Sequence, residues 1–130
     1  MGESFRDLIV WQRAIQLSVA IYETTEKFPR SELYGLTSQL RRAGVSVASN
    51  IAEGYGRGSR GEYKHFVGMA RGSNHEVQTQ IVIARELAFG EESGLARAER
   101  FSSEVGKMLF SMIKGLDVQQ KQLQRSQERD

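Results

Sequence analysis

The chain has 130 residues, 39% of them apolar and 26% charged, with a net charge of +2, which is the composition of one folded domain and excludes a disordered chain. It has no cysteine, so disulfides, thiolate metal sites and cysteine nucleophiles are excluded, and its single proline leaves room for long helices. No apolar run is long enough to span a bilayer and Met1–Phe5 lacks the pattern of a signal peptide, so the expected location is the cytoplasm.

The first periodic segment runs from about Leu8 to Lys27. Leu8, Trp11, Ala14, Ile15, Ser18, Ile21, Tyr22 and Thr25 mark a core-facing stripe, with Asp7 as the expected N-cap. Pro29 ends it. The second runs from Ser31 or Glu32 to Glu53 on Leu36, Leu40, Ala43, Val47 and Ile51, and stops at the glycine-rich Gly54–Gly58. The third, about Gly61 to Phe89, repeats Tyr63, Phe66, Val67, Ala70, Val77, Ile81, Ala84 and Leu87 or Ala88, behind a Ser59–Glu62 capping box. The fourth starts near Ser93 on Phe101, Val105, Met108, Leu109, Met112 and Leu116. Past Val118 the sequence turns polar, which predicts one domain over residues 1–120 and a frayed tail over 121–130. Short breaks make sequential helices antiparallel neighbours, so the expected fold is all-α, an antiparallel up-down-up-down four-helix bundle.

Charge is uneven along the chain. Residues 41–71 carry Arg41, Arg42, Arg57, Arg60, Lys64 and Arg71 against Glu53 and Glu62, for +4, so any attraction for a polyanion concentrates in the middle third. Those six cations are the candidate phosphate contacts for RNA or DNA.

Signatures of catalysis are weak. Gly56-Arg-Gly58-Ser-Arg-Gly61 matches a dinucleotide fingerprint in letters, but a helix enters it and no parallel sheet is readable. Arg57, Arg60 and Lys64 beside the following helix start could still hold a phosphate. Glu62-Tyr-Lys-His65 matches one half of a di-iron pair, yet the second half is missing and His75 lies about 15 Å along the same helix. No serine has a base and an orienting group in reach of a readable motif. The expectation is a protein with no enzymatic activity, no catalytic residue, no metal and no cofactor.

The second segment carries a polar stripe, Gln39, Arg42, Ser46, Asn50 and Glu53, at spacings of three and four. Arg71, Asn74 and Gln78 form a comparable line on the third. The stripe reads as a hydrogen-bonded network inside the bundle or between subunits, as a binding surface, or as a solvated face. Gly68 and Gly72 inside a helix point to a close backbone contact. Tyr34, Tyr55 and Tyr63 lie near helix ends, where they serve as base-stacking platforms or half-buried anchors.

Leu8-Ile-Val-Trp-Gln-Arg-Ala14, Phe28-Pro29, Gly35-Leu36-Thr-Ser-Gln39, Leu40-Arg41-Arg42-Ala43, Ser46, Asn50-Ile-Ala-Glu-Gly54 and Ala70-Arg-Gly-Ser73 together resemble a bacterial four-helix bundle family. Its founding members are encoded in intervening sequences of 23S ribosomal RNA genes, and the match covers about residues 5–118. The resemblance implies a ring-shaped homopentamer without enzymatic activity. Through the related accessory variability determinant of diversity-generating retroelements, it also implies a basic surface for nucleic acid or a protein partner. The alternative is a protein-interaction scaffold that binds no nucleic acid.

Overall fold

The computed structural model describes residues 4–129, and among them are four α-helices and no strand. α1 spans Ile9–Thr25, α2 Leu36–Tyr55, α3 Arg60–Glu86 and α4 Glu92–Arg129. Single 3-10 turns at Phe5–Asp7 and Arg30–Glu32 precede α1 and α2. No described helix is long and apolar enough to cross a membrane.

Local hydrogen bonding explains where the helices begin. Ser4 Oγ accepts from the Arg6 amide at 3.0 Å, and Asp7 Oδ2 accepts from the Ser4 amide at 3.2 Å. Asp7 therefore caps the short turn and not α1, which starts behind Leu8 with no side-chain cap. After Pro29 the chain makes its 3-10 turn, and Glu32 Oε1 then accepts from the Leu36 amide at 3.1 Å, so α2 begins later than the spacing predicts. Ser59 caps α3 by accepting from the Glu62 amide at 3.1 Å, while the Glu62 carboxylate turns to Arg57 at 3.9 Å.

The turn between α3 and α4 holds Ala88 at φ +57° and Gly90 at φ +77°. Arg85 closes it. Its Nε donates to both carboxylate oxygens of Glu92 at 3.0 Å, and its terminal nitrogens donate to Glu99 at 3.1 and 3.2 Å. Those bonds, first to Glu92 and then to Glu99, raise the guanidinium pKa further. Beyond Val118, α4 does not stop. It continues to Arg129, with residues 121–128 all exposed.

All four helices share a core made of two clusters. One contains Leu17, Ile21, Leu40, Val77, Ile81, Leu95 and Ala98, the other Ala14, Val47, Ile51, Val67, Ala70, Val105 and Leu109. The expected line of α2 is buried throughout. On α3, Val67 to Ala84 are buried as the spacing predicts, whereas Leu87 and Ala88 are exposed because the helix has ended.

The face of α1 differs from expectation. Its buried line is Val10, Ala14, Leu17, Ile21 and Thr24, while Ile15 and Tyr22 are exposed. The helix is turned by one residue step, roughly 100°. Small residues on its neighbours account for this: a Cβ at Gly44 would lie 2.7 Å from Ile21 Cδ1, and one at Gly94 would collide with Thr24. α2 and α4 thus come close to α1 on its Ile21 and Thr24 side.

Four contacts fix how the ends meet. Thr24, at the end of α1, touches the start of α4 at Gly94, and Arg13 reaches Glu104 at 2.7 Å. Lys64, at the start of α3, pairs with Asp117 of α4. Gln80, near the end of α3, faces Gln39 near the start of α2.

A β-carbon at positive φ is strained by about 1–2 kcal/mol. Ala88→Gly is therefore expected to raise stability by about 1 kcal/mol, read as a higher urea midpoint at unchanged slope. A lower midpoint would show that the turn is not strained there.

Candidate interaction surfaces

The polar stripe of α2 splits into three parts. Asn50 Nδ2 donates to the Ser46 carbonyl at 2.9 Å and to Ser46 Oγ at 3.0 Å, and Ser46 Oγ meets Ser73 Oγ of α3 at 2.8 Å. Gln80 Nε2 reaches Gln39 Oε1 at 3.5 Å. These residues bridge the α2–α3 seam within one chain. Glu53 turns instead to Arg57 at 3.8 Å. Arg42 is exposed and has neither an ion pair nor a hydrogen bond among the described residues.

The expected companion line on α3 faces elsewhere. Asn74 is fully buried against α4, where its Nδ2 donates to the Ser102 carbonyl at 3.0 Å and its Oδ1 accepts from Ser102 Oγ at 2.8 Å. α4 comes close there because residue 106 is glycine; a Cβ would lie 3.1 Å from Asn74 Nδ2. Arg71 covers the Phe110 ring at 5.3 Å. Ser73, Glu76 and Gln80, not Arg71, Asn74 and Gln78, therefore meet the α2 stripe. Gly68 and Gly72 are exposed with nothing within 4 Å of an added Cβ, so the close contact expected at them does not occur within this chain.

The six candidate phosphate contacts do not converge. Arg41 donates to Thr25 Oγ1 at 2.9 Å and to Glu26 at 3.2 Å, and covers the Tyr22 ring at 4.6 Å. Arg57 lies between Glu53 and Glu62 and over Phe66 at 4.8 Å. Lys64 pairs with Asp117. Arg60 is exposed and donates to Gln119 Oε1 at 3.0 Å. Of the six, Arg42, Arg60 and Arg71 have no carboxylate within ion-pair reach among the described residues. Arg60 and Arg71 are roughly 16 Å apart along α3.

The aromatic and acid–base candidates also sort by environment. Tyr55 and Tyr63 meet edge-on at 6.2 Å, and burial, followed by the neighbouring Tyr55, pushes the Tyr63 phenol pKa up. Tyr34 is 93% exposed. His65 packs edgewise on Phe66 at 5.4 Å, and Glu62 is turned to Arg57.

Two surfaces emerge from the structure, the second of them built partly on the α2 polar stripe. One is an apolar face of Ile15, Val19 and Tyr22 on α1 with Leu33 and Val45 beside it, all exposed. Ile15 and Tyr22 belong to the stripe that the spacing assigns to the core. The other is a polar groove of about 400 Å³ between α2 and α3, lined by Gln39, Arg42, Glu76 and Gln80 with Tyr34 at its edge.

Residues 6–111 match the family profile described as 23S rRNA-intervening sequence protein. The chain belongs to that family. The match takes in α1, α2, α3 and the first half of α4 and leaves out the polar end of α4. Among solved structures, this family member is similar to a protein of unknown function from the S23 ribosomal protein family of Bacteroides thetaiotaomicron VPI-5482. The TM-score is 0.73 at 20% identity, over 82% of this chain and 99% of that one, which establishes likeness of fold. Among curated proteins none matches.

Ser102 is the buried partner that the sequence reading missed. Ser102→Ala leaves Asn74 Oδ1 without its donor in the core and is expected to cost about 1–3 kcal/mol in urea unfolding. A change below about 0.5 kcal/mol would mean that the clasp contributes little.

Proposed function

We propose that this chain is a non-enzymatic cytoplasmic assembly module, an antiparallel up-down-up-down four-helix bundle that associates with copies of itself, as a ring-shaped homopentamer on the resemblance. The observation that carries the reading is the exposed apolar face of Ile15, Val19, Tyr22 and Val45. Branched aliphatic side chains grouped in this way mark association surfaces, because burying them removes apolar area from water at about 25 cal/mol per Å². The end-to-end contacts Thr24–Gly94, Lys64–Asp117 and Gln80–Gln39 support the helix order. The absence of catalysis is supported by the engagement of Glu62 with Arg57 and of His65 with Phe66, which turns that pair away from metal or acid–base work.

Val19→Asp and Val45→Asp sit on the surface and leave the core intact. Each is expected to lower the mass measured by light scattering to that of a smaller species at unchanged helical circular dichroism. Parental mass in both variants would sink the assembly face.

A second reading, binding of RNA or DNA, is supported at one end of the domain. The exposed turn Gly56–Ser59 carries Arg57 and leads into Arg60 at the start of α3, with Lys64 one turn on, and the Arg60–Gln119 bond ties this end to the stretch of α4 bearing Lys121 and Arg125. Binding there would weaken with salt, with a slope of roughly −0.7 per phosphate contact for a single strand. In fluorescence anisotropy, Arg57→Gln with Arg60→Gln is expected to flatten that slope by about 1.4. An unchanged slope, or binding indifferent to salt, removes this end from consideration.

A further inference from the structure

The groove between α2 and α3 holds polar groups that the rest of the chain leaves unanswered. Gln80 is 9% exposed, its Oε1 has no donor, and its Nε2 reaches Gln39 only at 3.5 Å. Leaving an amide oxygen buried without a partner is costly, so such an atom marks a place where a donor is missing. Glu76 lies one helical turn before Gln80 on the same face of α3, and both line the groove. Glu76 makes no ion pair or hydrogen bond among the described residues. From the α2 wall comes Arg42, also unpaired, and at the rim stands Tyr34 with 93% of its surface in water. The groove thus combines two acceptors a turn apart, one guanidinium and one bare aromatic ring.

We propose that this groove binds a guanine nucleotide, either free or as an unpaired nucleotide of a single strand. Guanine is the base that offers two neighbouring donor groups on one edge, N1–H and the N2 amino group, and these match a carboxylate and an amide oxygen. Adenine and cytosine offer one amino group on that edge and uracil one ring N–H. The Glu76 carboxylate accepts from one guanine donor. Gln80 Oε1 accepts from the other after rotation of a side chain that its long contact to Gln39 barely restrains. Arg42 donates to the phosphate, and the Tyr34 ring stacks on the base, a contact that tolerates an open site. A volume of about 400 Å³ suits a single nucleotide, since small-molecule sites fall at roughly 300–1,000 Å³.

This inference stands apart from the Arg57–Arg60 end, while Tyr34 and Arg42 also border the assembly face beside Tyr22, Leu33 and Val45. The test is calorimetric titration of the full chain with GMP, AMP, CMP and UMP, together with anisotropy on a short oligouridine strand with and without one guanine. GMP, the guanine-containing strand, or both are expected to bind at least about tenfold tighter than their counterparts, and which of them does so names the source. Gln80→Leu and Glu76→Ala should each remove most of that preference at unchanged helicity, and Tyr34→Ala should weaken all binding. Arg57→Gln with Arg60→Gln should leave the preference for guanine intact even if it abolishes strand binding driven by charge. Equal affinity for the four nucleotides, no binding of GMP or the strand, or a guanine preference that survives loss of both Glu76 and Gln80 overturns the proposal.

Discussion

The seating of α1 decides most of what the surface of this domain presents. α1 has apolar residues on two adjacent faces, one through Leu17 and Ile21, the other through Ile15, Val19 and Tyr22. Hydrophobicity alone does not choose between them. The choice is made by the backbones of α2 and α4, which come close to α1 at Gly44 and Gly94, where a side chain would strike Ile21 or Thr24. Close approach strengthens dispersion contacts, and those contacts fall away steeply with a gap of half an ångström or more. The face with Ile21 is therefore buried, and the face with Val19 is left to solvent beside Val45. A core constraint on one side of the helix creates the candidate association surface on the other.

A second constraint runs across the domain. Between the two apolar clusters lies a layer of small polar residues, Ser46 on α2, Ser73 and Asn74 on α3, and Ser102 on α4. Ala43, Val77 and Ala98 lie in the cluster on one side of it, and Val47, Ala70 and Val105 in the cluster on the other. Sliding one helix by a turn would press these hydroxyls and the Asn74 amide against aliphatic carbon and cost their hydrogen bonds. Apolar layers are tolerant of such slips, whereas a satisfied polar layer is not. The layer thus holds the register on which the groove at Gln39, Glu76 and Gln80 depends.

How much of this was legible in the sequence varies by element. α2 read correctly because its five apolar residues lie on one line with polar residues on both sides, so its period has one solution. α1 misled because Ile15 and Tyr22 satisfy the same period one step round the helix, and only glycines on other helices break the tie. Asn74 read as one of a polar line with Arg71 and Gln78 whose facing stayed open between a network inside the bundle, a binding surface and solvent, since spacing within one helix says nothing about a buried partner on another. Its partner Ser102 lies at helical spacing after Leu95 and Ala98, a signal present but weaker than the Phe101–Leu116 stripe, which begins on a half-buried phenylalanine. The extended helical end of α4 was unreadable for another reason. Its residues lack an apolar period, yet glutamine, lysine and arginine are good helix formers that continue a helix already nucleated.

The basic middle third shows why charge counted along a chain is a poor guide to charge presented by a surface. Three of its six cations are neutralised by carboxylates from elsewhere, Arg41 by Glu26, Arg57 by Glu53 and Glu62, and Lys64 by Asp117. Such partly exposed pairs add little stability, typically 0–1 kcal/mol, but they do cancel the field that a polyanion would sense beyond about a Debye length. What remains is set by position. Arg71 is spread over Phe110, Arg60 stands at the start of α3, and Arg42 lines the groove with Glu76 and Gln80 without pairing to either. An isolated guanidinium beside unpaired acceptors and a bare tyrosine is poorly suited to holding a long phosphate backbone and well suited to orienting one small ligand. The net charge of the middle third and its local chemistry therefore point to different partners, and the local chemistry is the more specific of the two.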